Sequence, residues 1–387
     1  MENIIEKDSE YIAHTYARFP LVIKEGKGSL LYDQDGKEYI DMASGIAVAS
    51  FGYGDEEWEK AVSSQAKKLS HTSNLFYSEP CVLLAEELIK RTHMGKVFFS
   101  NSGAEANECA IKAARKCAQE EKGKEYYNII TLKNSFHGRT VTTLAATGQD
   151  AFHKDFTPLT EGFLYADAND FDSVKALAKE HKCAAIMFEP VQGEGGVMPL
   201  DKEFLEKTAA FAKENGILLV ADEVQTGNGR TGKLYGYMHY NIEPDIFSTA
   251  KGLGGGLPIG ATVMTGRVAA HLTPGTHGST FGGNPICAAG ALTVIERLTD
   301  SFLSEVGKKG DYIKSELSGA KGVKSVSGLG LMVGLKTEKS ADEVIACCRE
   351  HGVIAIKAKD RVRLLPALNI PEELLKKAVS VIKEACE

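Results

Sequence analysis

GILLVADEVQ, residues 216–225, decides the fold. Ile217 to Ala221 run without a polar interruption and then stop at two adjacent carboxylates, Asp222 and Glu223. An apolar run this short, with no alternation, suits a strand covered on both faces. The carboxylates at its end require a cation or hydrogen-bond donors, because desolvated charge without a partner is costly. The same pattern recurs on either side, in VFF (97–99), NIITL (128–132), CAAIMF (183–188), DIFSTA (245–250) and ATVMTG (261–266). Between these runs lie helical spacings such as Ala106, Cys109, Ala110, Ala113, Ala114 and Cys117, which follow i, i+3, i+4, i+7. Together they predict an α/β unit over about residues 95–265, a mostly parallel sheet with helices on both sides.

Outside that unit the pattern changes. SVSGLGLMVGL and RVRLL read as strands alternating with helices at 341–351 and 371–386, the second with Pro371 in its first turn. Near the start, GSLLYDQDGKEYIDM reads as a hairpin turning at Asp35-Gly36. The expected organisation of the 387 residues is an N-terminal segment (1–50) packing with a small domain, a large domain (51–284) and a smaller C-terminal α+β domain (285–387).

The net charge of −7 is spread along the chain, which argues against a polyanion-binding surface and so against nucleic acid. The eight cysteines form no C-x-x-C pair and no Cys/His cluster at metal-ligand spacing, so they read as small buried hydrophobes in a reducing compartment, with no metal site. No apolar run approaches a membrane span and the N-terminus lacks a signal-peptide core, so a cytoplasmic location is expected.

Ligands of open parallel sheets bind beyond the carboxyl ends of the strands, so the loops there carry the functional reading. After VFF, Ser102-Gly103-Ala104 opens a helix, where unsatisfied N–H groups and the dipole favour an anion. After NIITL come Phe136, His137, Gly138 and Arg139, an aromatic ring beside a guanidinium. After CAAIMF, Glu189 begins an acidic, glycine-rich loop that runs to Gly196. Asp222 and Gln225 follow GILLVA, and Lys251 with a run of glycines follows DIFSTA. Burial would lower the lysine pKa towards the nucleophilic amine. Each loop alone has an ordinary explanation: a helix cap, an Asp–Arg pair or metal site, a strand-end lysine reaching water. Five in one topological place converge on one flat, phosphorylated, aromatic ligand.

The motifs NSGAEANE (101–108), FHGRT (136–140), EPVQGEGG (189–196), ADEVQTGNGRTG (221–232), AKGLGGGLPIGA (250–261) and HGSTFGGNP (277–285) resemble the class III aminotransferases, pyridoxal 5'-phosphate (PLP) enzymes of fold type I. The resemblance runs from about Tyr16 to the C-terminal helix. It implies that Lys251 carries PLP as a Schiff base and shuttles the reacting proton, that Asp222 pairs with the pyridinium nitrogen, and that Gln225 bonds near the ring oxygen. By the same resemblance Phe136, with His137 beside it, stacks on the ring. Ser102, Gly103 and Ala104 take the phosphate with Thr280 of a second subunit, which implies a homodimer with shared sites. Arg139 and Arg363 would clamp substrate carboxylates, and Glu189 would pair with Arg363 when no second carboxylate is bound. Ser279, Tyr16, Ser73 and Asn74 would line the entrance. The expected reaction is ping-pong transfer from N2-acetylornithine to 2-oxoglutarate in arginine biosynthesis. Ornithine, succinyl-diaminopimelate or 4-aminobutyrate are the alternative donors and a PLP aminomutase the rival reaction. Two departures stand out: Ala104 where the family often has Thr, and Gly52-Tyr53-Gly54-Asp55 in place of Gly-His-x-His-Pro.

Overall fold

The computed structural model describes residues 4–387. An N-terminal antiparallel set, β1 (Ile23–Lys27), β2 (Leu30–Asp33) and β3 (Glu38–Asp41), turns between its second and third strands at Asp33–Gly36, where Gly36 donates to the Asp33 carbonyl. The central sheet then takes β4 (Lys96–Ser100), β5 (Asn128–Leu132), β6 (Phe163–Ala166) and β7 (Cys183–Phe188). A two-residue pair, β8 (Val191–Gln192) with β9 (Met198–Pro199), interrupts before β10 (Leu218–Asp222), β11 (Ile246–Thr249) and β12 (Gly260–Met264) complete it.

Spatial order in this seven-stranded sheet is β4-β12-β11-β10-β7-β5-β6. Every neighbouring pair from β11 to β6 is parallel, whereas β12 runs antiparallel to both β11 and β4. Both faces are covered, as the unbroken burial of Cys183–Phe188 and Leu218–Asp222 requires. On one face the helix Gly103–Lys122 packs its Ala110, Ala113, Ala114 and Cys117 stripe against Ala184, Met187, Leu218 and Val220, and these small side chains let helix and strands approach closely. On the other face a larger core gathers Ile186, Phe188, Leu219, Ala221 and Phe247.

Towards the C-terminus, β13 (Val323–Leu329) and β14 (Met332–Thr337) form a hairpin. β15 (Val353–Ile354), β16 (Ile356–Ala358) and β17 (Arg361–Leu364) follow, and the second sheet has the order β13-β14-β17-β16. β15 leaves that sheet and pairs in parallel with β3, Val353 opposite Ile40, so the N-terminal hairpin and the last hundred residues share a sheet. The single stretch SVSGLGLMVGL is two strands, because Gly330 takes a positive φ of 53° and turns the chain. Pro371 is the N-cap of the final helix, Glu372–Cys386, in extended conformation rather than inside the first turn. No helix of the described residues is long and apolar enough to cross a membrane.

Candidate active site

Because β4, β5, β7, β10 and β11 run the same way, their carboxyl ends open on one edge of the sheet. A cavity of about 230 Å³ lies there, lined by Gly103, Ala104, Asn107, Phe136, His137, Gly138, Arg139, Glu189, Asp222, Val224, Gln225 and Lys251. Ser102 stands at its edge as the N-cap of the helix Gly103–Lys122, its hydroxyl accepting from the Glu105 N–H at 3.2 Å. The hydroxyl is therefore engaged, and the free N–H groups of the first turn are what the helix presents. Gly103 has a steric reason to be glycine: a Cβ there would lie 2.5 Å from Val224 Cγ1.

Asp222 ends β10 and is 3% exposed. Its Oδ2 accepts from His137 Nδ1 and from Asn107 Nδ2, each at 2.7 Å, and its Oδ1 accepts from the Val224 N–H at 3.0 Å. Asn107 also donates to the His137 carbonyl at 2.7 Å, which ties the FHGRT loop to the helix. The other ring nitrogen, His137 Nε2, is buried without a hydrogen-bond partner among the described residues. With Ser248 Oγ donating to Asp222 Oδ1 at 3.4 Å, four donors hold the carboxylate in a fixed place without neutralising it by a salt-bridged lysine or arginine.

Lys251 follows β11 in the left-handed region, φ 45°, and opens a short helical turn to Gly254. Its pKa is lowered, chiefly by burial and further by Arg363, while Glu194, Asp222 and Glu189 pull the other way. The net direction favours the neutral, nucleophilic amine.

Arg363, 2% exposed, comes from β17 in the second sheet. Its partner is Glu194, with Nη1 to Oε1 at 2.5 Å and Nη2 to Oε2 at 3.3 Å, and Nη1 also donates to Gln225 Oε1 at 3.1 Å. This corrects the expected Glu189–Arg363 pair. Glu189 instead accepts from the backbone N–H groups of Phe136 (2.9 Å) and Gly193 (3.1 Å), so it holds the loop that carries the aromatic ring. Burial, with Asp222 nearby, pushes Glu189 up to about 7 against the opposing pull of His137 and those two donors. Burial alone would also raise Glu194, but Arg363, with smaller help from Lys251 and Gln225, holds it below the usual carboxylate range. Gln225 is accordingly part of the arginine cluster, donating to Glu194 at 3.4 Å.

Arg139 is exposed and has no carboxylate partner among the described residues. Its guanidinium lies over the Phe152 ring at 4.1 Å and 5.5 Å from the centre of Phe136, and the two rings meet edge to face. Phe152 was not singled out in the sequence, because an isolated Phe in QDAF carries no spacing signal. Asn107 was missed for a related reason: it sits inside a small-residue helix that reads as core.

The remaining sequence candidates do not reach this cavity within one chain. Asn74 Nδ2 donates to the carbonyls of Ser279 (3.0 Å) and Gly282 (2.9 Å), and Ser279 Oγ accepts from Asn101 at 3.2 Å. Ser73 and Thr280 line a separate hollow of about 160 Å³ with Asn74, Phe76, Tyr77 and Phe281. Tyr16 is 74% exposed. Elsewhere Cys117, Glu121 and His271 bring possible ligand atoms within 4.8 Å of one another, but Arg267 already binds both Glu121 oxygens, at 3.0 and 2.5 Å. That arrangement is an ion-pair network complete in itself.

A flat anionic ring fits the cavity well: an amine, a fixed carboxylate, an aromatic face and free helix N–H groups surround one space. This combination defines a PLP site of fold type I, and residues 11–386 match the family Aminotransferase class-III, so the chain belongs to the class III aminotransferases. The enzymes of that family depend on PLP. Acetylornithine aminotransferase of Haemophilus ducreyi is 46% identical over 385 residues, 99% of this chain and 98% of that one. The Aquifex aeolicus protein of the same name is 46% identical over 377 residues, covering 97% and 99%. Among solved structures, ornithine aminotransferase of Toxoplasma gondii superposes with a TM-score of 0.95 at 30% identity, covering 99% of this chain and 94% of that one. N-acetylornithine aminotransferase of Stenotrophomonas maltophilia gives 0.85 at 34% identity, covering 98% of each.

Proposed function

We propose that this aminotransferase moves the terminal amino group of N2-acetylornithine to 2-oxoglutarate, giving N-acetylglutamate 5-semialdehyde and glutamate in the cytoplasmic synthesis of arginine. The full-length relatives that carry the acetylornithine name support the donor. The observation that carries the two-substrate reaction is the Arg363–Glu194 pair, which gives the site a second carboxylate receptor that can be filled from within. When bound, PLP supplies an electron-accepting ring beside the amino-bearing carbon of the substrate. Asp222, kept in place by His137 and Asn107, would hold positive charge on the ring nitrogen. Lys251 would hold the cofactor through its amine, and the same amine would serve as the base that takes the proton from the amino-bearing carbon of the substrate. Phe136 would cover the ring, and the N–H groups at Gly103 and Ala104 would hold the phosphate.

Arg139, with no carboxylate partner among the described residues, takes the carboxylate that every substrate presents. Arg363 takes the second carboxylate of 2-oxoglutarate after Glu194 gives way, and is neutralised by Glu194 while the monocarboxylate donor is bound. An aminomutase, which works within one molecule, needs no such second receptor. Ornithine, succinyl-diaminopimelate and 4-aminobutyrate test the donor: kcat/KM should favour N2-acetylornithine, and a preference of about tenfold or more for any of the others overturns it.

The same reading includes a homodimer with shared sites. Phe76 (67% exposed), Tyr77 (99%) and Phe281 (58%) line the hollow that holds Thr280 and Asn74. Apolar side chains so exposed in one patch suit a subunit interface. A partner's Thr280 would then complete the phosphate pocket.

A further inference from the structure

The turn that carries Lys251 is held from three directions by side-chain donors. Lys251 itself has a positive φ of 45°, a conformation an L-residue keeps only when its surroundings enforce it. Three alternate carbonyls of the turn each accept twice. The Ala250 carbonyl accepts from the Leu253 N–H at 2.9 Å and from Asn228 Nδ2 at 3.0 Å. The Gly252 carbonyl accepts from the Gly255 N–H at 3.3 Å and from Ser50 Oγ at 3.0 Å. The Gly254 carbonyl accepts from the Leu257 N–H at 3.2 Å and from Trp58 Nε1 at 3.1 Å. The three donors come from separate parts of the chain: the loop after β10, the N-terminal segment before Phe51, and the first turn of the helix Glu56–Lys68. Ser50 and Asn228 are 1% and 2% exposed, so neither finds water as an alternative partner.

We infer that Ser50, Trp58 and Asn228 are positioning residues that fix where the Lys251 amine stands, acting through the backbone of its turn rather than by touching substrate. The inference rests on the reading of Lys251 as the cofactor lysine. Because Lys251 must both hold the cofactor and move a proton, a small displacement of its backbone costs rate without altering the arginines that bind carboxylates. Ser50→Ala and Trp58→Phe each remove one donor and leave the packing close to native. The folded holoenzyme of each should lose about threefold to tenfold in kcat, the rate equivalent of one hydrogen bond, while KM for both substrates stays within about twofold. The pH at which the visible band of the lysine-linked cofactor titrates should shift in the same variants. A purely structural role would lower the melting temperature but leave both readouts unmoved, and that result overturns the inference. So does movement of one readout without the other, or failure of both variants to fold. Lys251→Ala separates the underlying reading: retention of a covalent cofactor there refutes the role of Lys251 itself, whereas its loss beside unaffected Ser50 and Trp58 variants refutes only the positioning role.

Discussion

Glu189 and Glu194 stand five residues apart in one glycine-rich loop, and only the geometry tells them apart. The sequence shows two acids after β7 and nothing about which way either points, since turn conformation, not residue type, aims a loop side chain. In the fold Glu189 turns back onto the Phe136 and Gly193 N–H groups, and Glu194 turns out onto Arg363. Glu194→Gln should therefore remove the internal competitor for Arg363 and raise the ratio of kcat/KM for 2-oxoglutarate to that for the amino donor by about tenfold, roughly the energy of one charge-assisted bond. Glu189→Gln should lower both values together, by about threefold to tenfold, because the loop that presents Phe136 loses an anchor. Steady-state kinetics with each substrate varied in turn checks both, and a ratio that moves with Glu189 but not with Glu194 contradicts the assignment. Lys251, Asp222, Phe136 and Arg139 were legible because each closes or follows a short apolar run, and Arg363 only through the family resemblance, whereas Asn107 and Phe152 sit in stretches whose pattern is that of ordinary core.

At the scale of elements, the strands buried on both faces were readable almost to the residue: NIITL and CAAIMF coincide with β5 and β7. The reversed direction of β12 was not readable, since an apolar run has no polarity and only the short turn from Gly254 to Gly260 forces it back beside β11. The β6 strand Phe163–Ala166 escaped notice as well, because it lies at the sheet edge with three of its four residues half-buried. The meeting of the helix Gly103–Lys122 with the loop after β10 is the contact that shapes the phosphate end of the site. Gly103→Ala would set a methyl 2.5 Å from Val224 Cγ1. Overpacking of this kind costs about 1–3 kcal/mol, so cofactor affinity should fall by about tenfold or more, read by titrating the apoprotein. Adding Val224→Ala should restore most of the loss, since the two changes share one contact. An affinity unchanged in Gly103→Ala would show that the helix start and this loop are not coupled.

Across the whole molecule, the site draws on distant parts of the chain: Arg363 comes from the second sheet, and Ser50 from the N-terminal segment joined to the C-terminal residues through β3 and β15. Thr280, Ser279, Asn74 and Tyr16 stay outside the cavity, as the proposed shared-site dimer requires. Sedimentation should give twice the 41.7 kDa chain mass. Tyr77→Asp combined with Phe281→Asp should yield monomers with turnover reduced by about tenfold or more, because burying unpaired charge at the centre of an interface is prohibitive. Full activity in a monomeric variant would refute shared sites. The central claim, that five strand-end loops converge on one cofactor held by Lys251, is tested most directly by reducing the holoenzyme with borohydride and locating the cofactor mass by peptide mapping. The account predicts one adduct per chain, on the peptide containing Lys251; an adduct on any other lysine, or none at all, would contradict it.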